Sequence, residues 1–80
     1  MNKESFSLDD LGIGGKAVVE SLCTQGKERR RMLDLGLIQG ALVEALHRSP
    51  SGDPTAYEIM GAVIALRDED ARKIMVRTLA

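Results

Sequence analysis

The apolar positions of this 80-residue chain fall into short clusters divided by glycine and proline. Over 16–23, Lys-Ala-Val-Val-Glu-Ser-Leu-Cys is rich in β-branched residues without strict alternation and reads as a strand. The segments 42–48, 55–60, 62–66 and 74–78 also read as strands. In 55–60, alternation sets Tyr57 and Ile59 on one face and Glu58 and Met60 on the other. Ser49-Pro50-Ser51-Gly52-Asp53-Pro54 is dense in turn formers and predicts a hairpin, and Gly61 permits a sharp bend before 62–66. Residues 27–35 follow a longer period and read as a helix. Arg30 and Asp34 are four apart, Glu28 and Arg31 three apart, and Met32, Leu33 and Gly36 can share a face. Gly36 suits the left-handed residue that stops a helix. Residues 7–11 and 68–73 each read as one helical turn. The second has acids leading and bases trailing, as the helix dipole prefers. Leu8 and Leu11 are spaced to enter a core together, and the expected core is Leu33, Leu35, Leu37, Val43, Ile59, Leu66, Ile74 and Val76. Short strands joined by tight turns predict a mainly β domain, a closed or nearly closed barrel, because closure removes exposed edges.

Composition narrows the picture. Residues 1–80 make one domain, near the size below which a core struggles to hold a fold unaided. The single cysteine, Cys23, rules out an internal disulfide. Stability must therefore come from packed aliphatic side chains. The net charge is −1 with both signs interspersed, and the aromatics are one Phe and one Tyr. That composition supplies neither the basic surface nor the stacking platform of a nucleic-acid binder. Met1 to Ser5 has no apolar signal region, and the longest apolar run, 62–66, is far short of a membrane span. The expected setting is cytoplasmic, with no membrane insertion.

Candidate chemistry is sparse. Gly12-Ile13-Gly14-Gly15 has no preceding strand, following helix or Lys-Ser/Thr pair of a phosphate loop, so it reads as a turn. His47 and Cys23 are the only His and Cys, too few to select a metal site without carboxylates that no spacing singles out. No nucleophile stands beside an oriented base, so no enzyme activity, catalytic residue or cofactor is expected. Arg29-Arg30-Arg31 is the conspicuous charge run. On a helix its members point about 100° apart, so they do not make one patch. A solvated face is the plainest reading, with protein contact ahead of nucleic acid.

Taken in order, these pieces resemble the FeoA family. The resemblance starts at Leu8-Asp9-Asp10-Leu11 and runs through Arg30-Arg31-Met32-Leu33-Asp34-Leu35-Gly36-Leu37-Ile38-Gln39-Gly40. The 49–54 hairpin, Gly61-Ala62-Val63-Ile64-Ala65-Leu66-Arg67, Ala71 and Ile74-Met75-Val76 complete it, covering about residues 6–78. Each piece is weak alone; order and spacing carry the match. The resemblance implies an SH3-like small β-barrel with one short helix inserted after the first strand. It implies an accessory role in bacterial ferrous iron transport through contact with the membrane transporter FeoB, at its cytoplasmic GTP-hydrolysing domain. The same domain type ends iron-dependent repressors, so an interaction module serving a different partner is the alternative. A barrel with an appended helix offers a groove between them. The expected docking residues are Arg29, Arg30, Arg31 and Met32, with His47, Tyr57 and Met60 at the rim.

Overall fold

The computed structural model describes residues 5–79. Strand β1 (Phe6–Ser7) leads into a 3-10 turn (Leu8–Asp10), then β2 (Lys16–Leu22), helix α1 (Gly26–Asp34), β3 (Leu42–Arg48), β4 (Thr55–Ile59), β5 (Ala62–Leu66), the short helix α2 (Asp68–Ala71) and β6 (Ile74–Thr78). All strand pairs are antiparallel, and the sheet order is β1-β6-β2-β3-β4-β5. The fold is the SH3-like small barrel, with α1 inserted between β2 and β3. The addition to the expected elements is β1, which lies beside β6 with Phe6 opposite Val76. Two residues are too few to show a period.

The uneven pattern of β2 has a geometric cause. Val19 pairs with Val76, but Leu22 pairs with Ile74, the register shifting between Val19 and Ser21. The extra residue in this bulge turns Val19 and Leu22, three apart, toward the same interior. A second shift lies between Ala45 and His47 in β3. Bulges bend and twist a strand, which is what a six-stranded sheet needs to wrap around a core this small.

Helix α1 ends in a Schellman motif. The Gly36 N–H donates to Leu33 O at 3.0 Å and the Leu37 N–H to Met32 O at 3.1 Å. Gly36 has φ +100°, a conformation that costs any residue with a Cβ. The motif folds Leu37 back against Met32, and both side chains are fully buried.

The core joins Leu8 and Leu11 to Val19, Met32, Leu37, Val43, Tyr57, Ile59, Leu66, Ile74 and Val76, with buried Ala17, Ala41, Ala45 and Ala71 between them. Six of the eight expected core residues are buried; Leu33 and Leu35 are only half-buried. Leu35 is the helix C-cap and packs at the core's margin. Leu33 follows Met32 directly, so it is turned about 100° around the helix from the face that Met32 buries.

One long-range bond ties the hairpin to α2: the Asp68 N–H donates to Asp53 Oδ1 at 3.0 Å. The carboxylate does for α2 what a side-chain N-cap does, from a distant loop. Asp53→Ala is expected to lower stability by about 1 kcal/mol, the usual size of a lost cap, measured by urea denaturation. A midpoint equal to the parent's would show the bond contributes nothing.

Candidate docking surface

Helix α1 carries its charge run around the cylinder, and its neighbours sort the three arginines. Arg29 rises beside a groove of about 220 Å³ against β2, where Leu22, Leu33, Leu37 and Gln39 form the walls with Glu20, whose carboxylate pairs with Arg77 at 3.8 Å. Arg31 falls on the other side, at a cleft of about 490 Å³ shared with Leu35, Ile64, Leu66, Arg67 and Asp70. There it donates from Nη2 to Asp70 Oδ2 at 3.2 Å. Glu28, the acid closest to the run, is engaged elsewhere: Lys73 Nζ donates to its Oε2 at 2.8 Å. That contact raises the Lys73 ammonium above its ordinary value. Among the described residues, Arg29 and Arg30 form no ion pair. Among the described residues, α1 thus carries three cations without an ion pair, Lys27, Arg29 and Arg30, and Arg29 stands four residues before the half-buried Leu33 on the same groove.

The expected docking set does not come together. Met32 is 0% exposed and Tyr57 1% exposed, so neither offers contact area. Met32 sits on the helix face pressed to the sheet, its sulfur 3.9 Å from the Thr24 hydroxyl. Tyr57 shares the inward row of β4 with Ile59, between β3 and β5. Burial pushes its phenol above the ordinary tyrosine value. His47 and Met60 are exposed but far apart. Met60 follows Ile59, which faces Val43, and reaches the end of α1: a Cβ added to Gly36 would lie 3.4 Å from Met60 Cγ. His47 lies four residues further along β3, roughly 13 Å away at about 3.3 Å per residue. The structure leaves Arg29 and Arg30 as the free cations of the set and adds Leu33, Leu22 and Gln39 around Arg29. The sequence signal for that addition is the Arg29–Leu33 spacing of one helical turn.

Among the described residues no group of three or more His, Cys, Asp or Glu side chains is placed to hold a metal ion. What α1 offers is a guanidinium over an aliphatic wall, a pairing that favours protein surfaces.

The FeoA domain family matches residues 6–78. The chain belongs to the FeoA family. This FeoA domain is 34% identical over 73 residues to the Fe(2+) transport protein A/Fe(2+) transporter FeoB fusion protein of Porphyromonas gingivalis, a match that takes in 91% of this chain and only 9% of that relative's length. It superposes on the solution structure of FeoA from Chlorobium tepidum with a TM-score of 0.87 at 36% identity, over 94% of this chain and 71% of that one. A manganese-dependent transcriptional repressor shares the fold alone, with a TM-score of 0.85 at 18% identity over 99% of this chain and 44% of that one.

Proposed function

We propose that this FeoA domain is an accessory protein of ferrous iron transport, acting by contact with a FeoB-type membrane transporter. The observation that carries the reading is the relative in which protein A and the transporter FeoB are fused into one protein. Two parts held in one polypeptide are parts that work together. The contact we favour is the α1–β2 groove, with Arg29 on it, Arg30 next along α1, neither with an ion-pair partner among the described residues, and Leu33 half-buried in its wall. On the partner side it calls for carboxylates beside an apolar ridge, such as a cytoplasmic GTPase domain can present. Arginines on a groove rim steer encounter and give charge-assisted bonds, while the aliphatic wall supplies buried area.

The test is capture of the detergent-solubilised transporter by immobilised FeoA domain. An Arg29→Glu/Arg30→Glu variant is expected to capture at least ten-fold less, with an unchanged circular dichroism spectrum and melting temperature. Equal capture would remove α1 from the interface. If the parent domain captures no transporter, the alternative takes over: a small interaction module with another partner, a reading supported by the shared fold of the repressor.

A further inference from the structure

An antiparallel sheet with one packed face usually turns polar side chains to water on the other. The outward face of β3, β4 and β5 departs from this rule. Leu42 is 47% exposed, Met60 63% and Val63 64%. Leu42, Glu44, Glu58 and Met60 surround one shallow depression. Glu44 lies directly opposite Glu58, and Glu58 directly opposite Val63. Two carboxylates facing each other across a ladder repel. Lys16 faces Glu44 from β2, yet among the described residues neither glutamate forms an ion pair. The face therefore combines exposed aliphatic surface with an unneutralised acid pair at its centre.

We propose that this face docks a partner protein through an extended segment that carries an arginine flanked by aliphatic residues. Cβ atoms across a ladder lie about 5 Å apart, so one planar guanidinium fork can bond both carboxylates and cancel their repulsion. Leu42 lies two residues from Glu44 along β3, about 6.7 Å away, and Met60, in the turn after β4, closes the same depression. That is the spacing of residues i and i+2 in an extended chain, so Arg-x-Leu lying along β3 meets the acid pair and Leu42 at once. Val63 widens the apolar floor on the β5 side. An acidic centre disfavours anionic lipid, and the face is separate from the α1–β2 groove, so the inference does not rest on that groove or on the transporter.

Titrating ¹⁵N-labelled domain with a short acetylated peptide, in which arginine and leucine alternate with threonine, tests this by NMR. Saturable shifts are expected at Leu42 to Glu44 and Glu58 to Val63. A Glu44→Gln/Glu58→Gln variant, whose melting temperature is checked, is expected to bind at least ten-fold more weakly. The Arg29→Glu/Arg30→Glu variant is expected to bind like the parent, and a peptide with glutamate for arginine not at all. Absence of saturation, shifts centred elsewhere, or unchanged affinity in the glutamine variant would overturn the proposal. So would a sedimenting dimer that Met60→Ser dissociates, which would make the face a self-interface, or binding to phosphatidylglycerol vesicles.

Discussion

A Tyr57→Ala variant is expected to lose about 3–5 kcal/mol of stability, a large share of what so small a domain holds. The ring fills the centre of the sheet's inner face, on a strand with neighbours on both sides, so no side chain can relax into the space. Thermal denaturation followed by circular dichroism measures the loss. The same ring gives a pH dependence. Burial raises the phenol above its ordinary value of 10.0, so the folded state holds this proton more tightly than the unfolded chain. The contribution is fully present below pH 10.0 and is lost as the pH rises through the folded-state value. Tyr57 is the chain's one tyrosine, so the phenolate absorbance reports it without overlap. Phenolate formation and loss of structure are expected to rise together on the alkaline side, and Tyr57→Phe is expected to remove that component. A phenol that titrates at its ordinary value in a folded domain would place the ring in water.

Met32→Ala is the second large loss, expected at about 2–5 kcal/mol. The side chain joins α1 to the sheet and rests against Leu37 across the Schellman motif, so its removal opens a cavity and loosens the helix end together. Met32→Leu keeps volume and character and is expected to cost less than about 1.5 kcal/mol. The pair of variants separates core from contact: a stable Met32→Leu domain is expected to capture the transporter as the parent does. Weak capture by a fully folded Met32→Leu domain would return Met32 to the interface.

These two residues show where reading from sequence stops. The strands at 42–48, 62–66 and 74–78 are legible as aliphatic runs that follow a glycine turn or a helical turn, and α1 because its spacing changes and Gly36 closes it. The inward row of Tyr57 and Ile59 followed from a period of two. Because Ile59 is an expected core residue, that row already implies a buried Tyr57; its place at the rim, like that of Met32, rested only on side-chain type, and Met and Tyr serve both core and contact. Leu33 is the converse case, an aliphatic residue beside Met32 that belongs to a groove. The small core residues Ala17 and Ala45 carry no strong signal of their own; close packing of a tightly curved sheet selects them. Of the docking surface, the arginine run was visible, but which cations stay free depends on Asp70 and Lys73, about forty positions away along the chain.

The pairing of β1 with β6 has a consequence for how the domain can be carried. Phe6 stands opposite Val76 and Ser7 opposite Met75, so the first and last strands run side by side in opposite senses. The start of β1 and the end of β6 therefore lie at the same end of this strand pair. A tether attached at that end would hold the domain beside a linked partner at an effective concentration on the order of millimolar. A shallow, low-affinity contact is then enough to keep the two parts engaged.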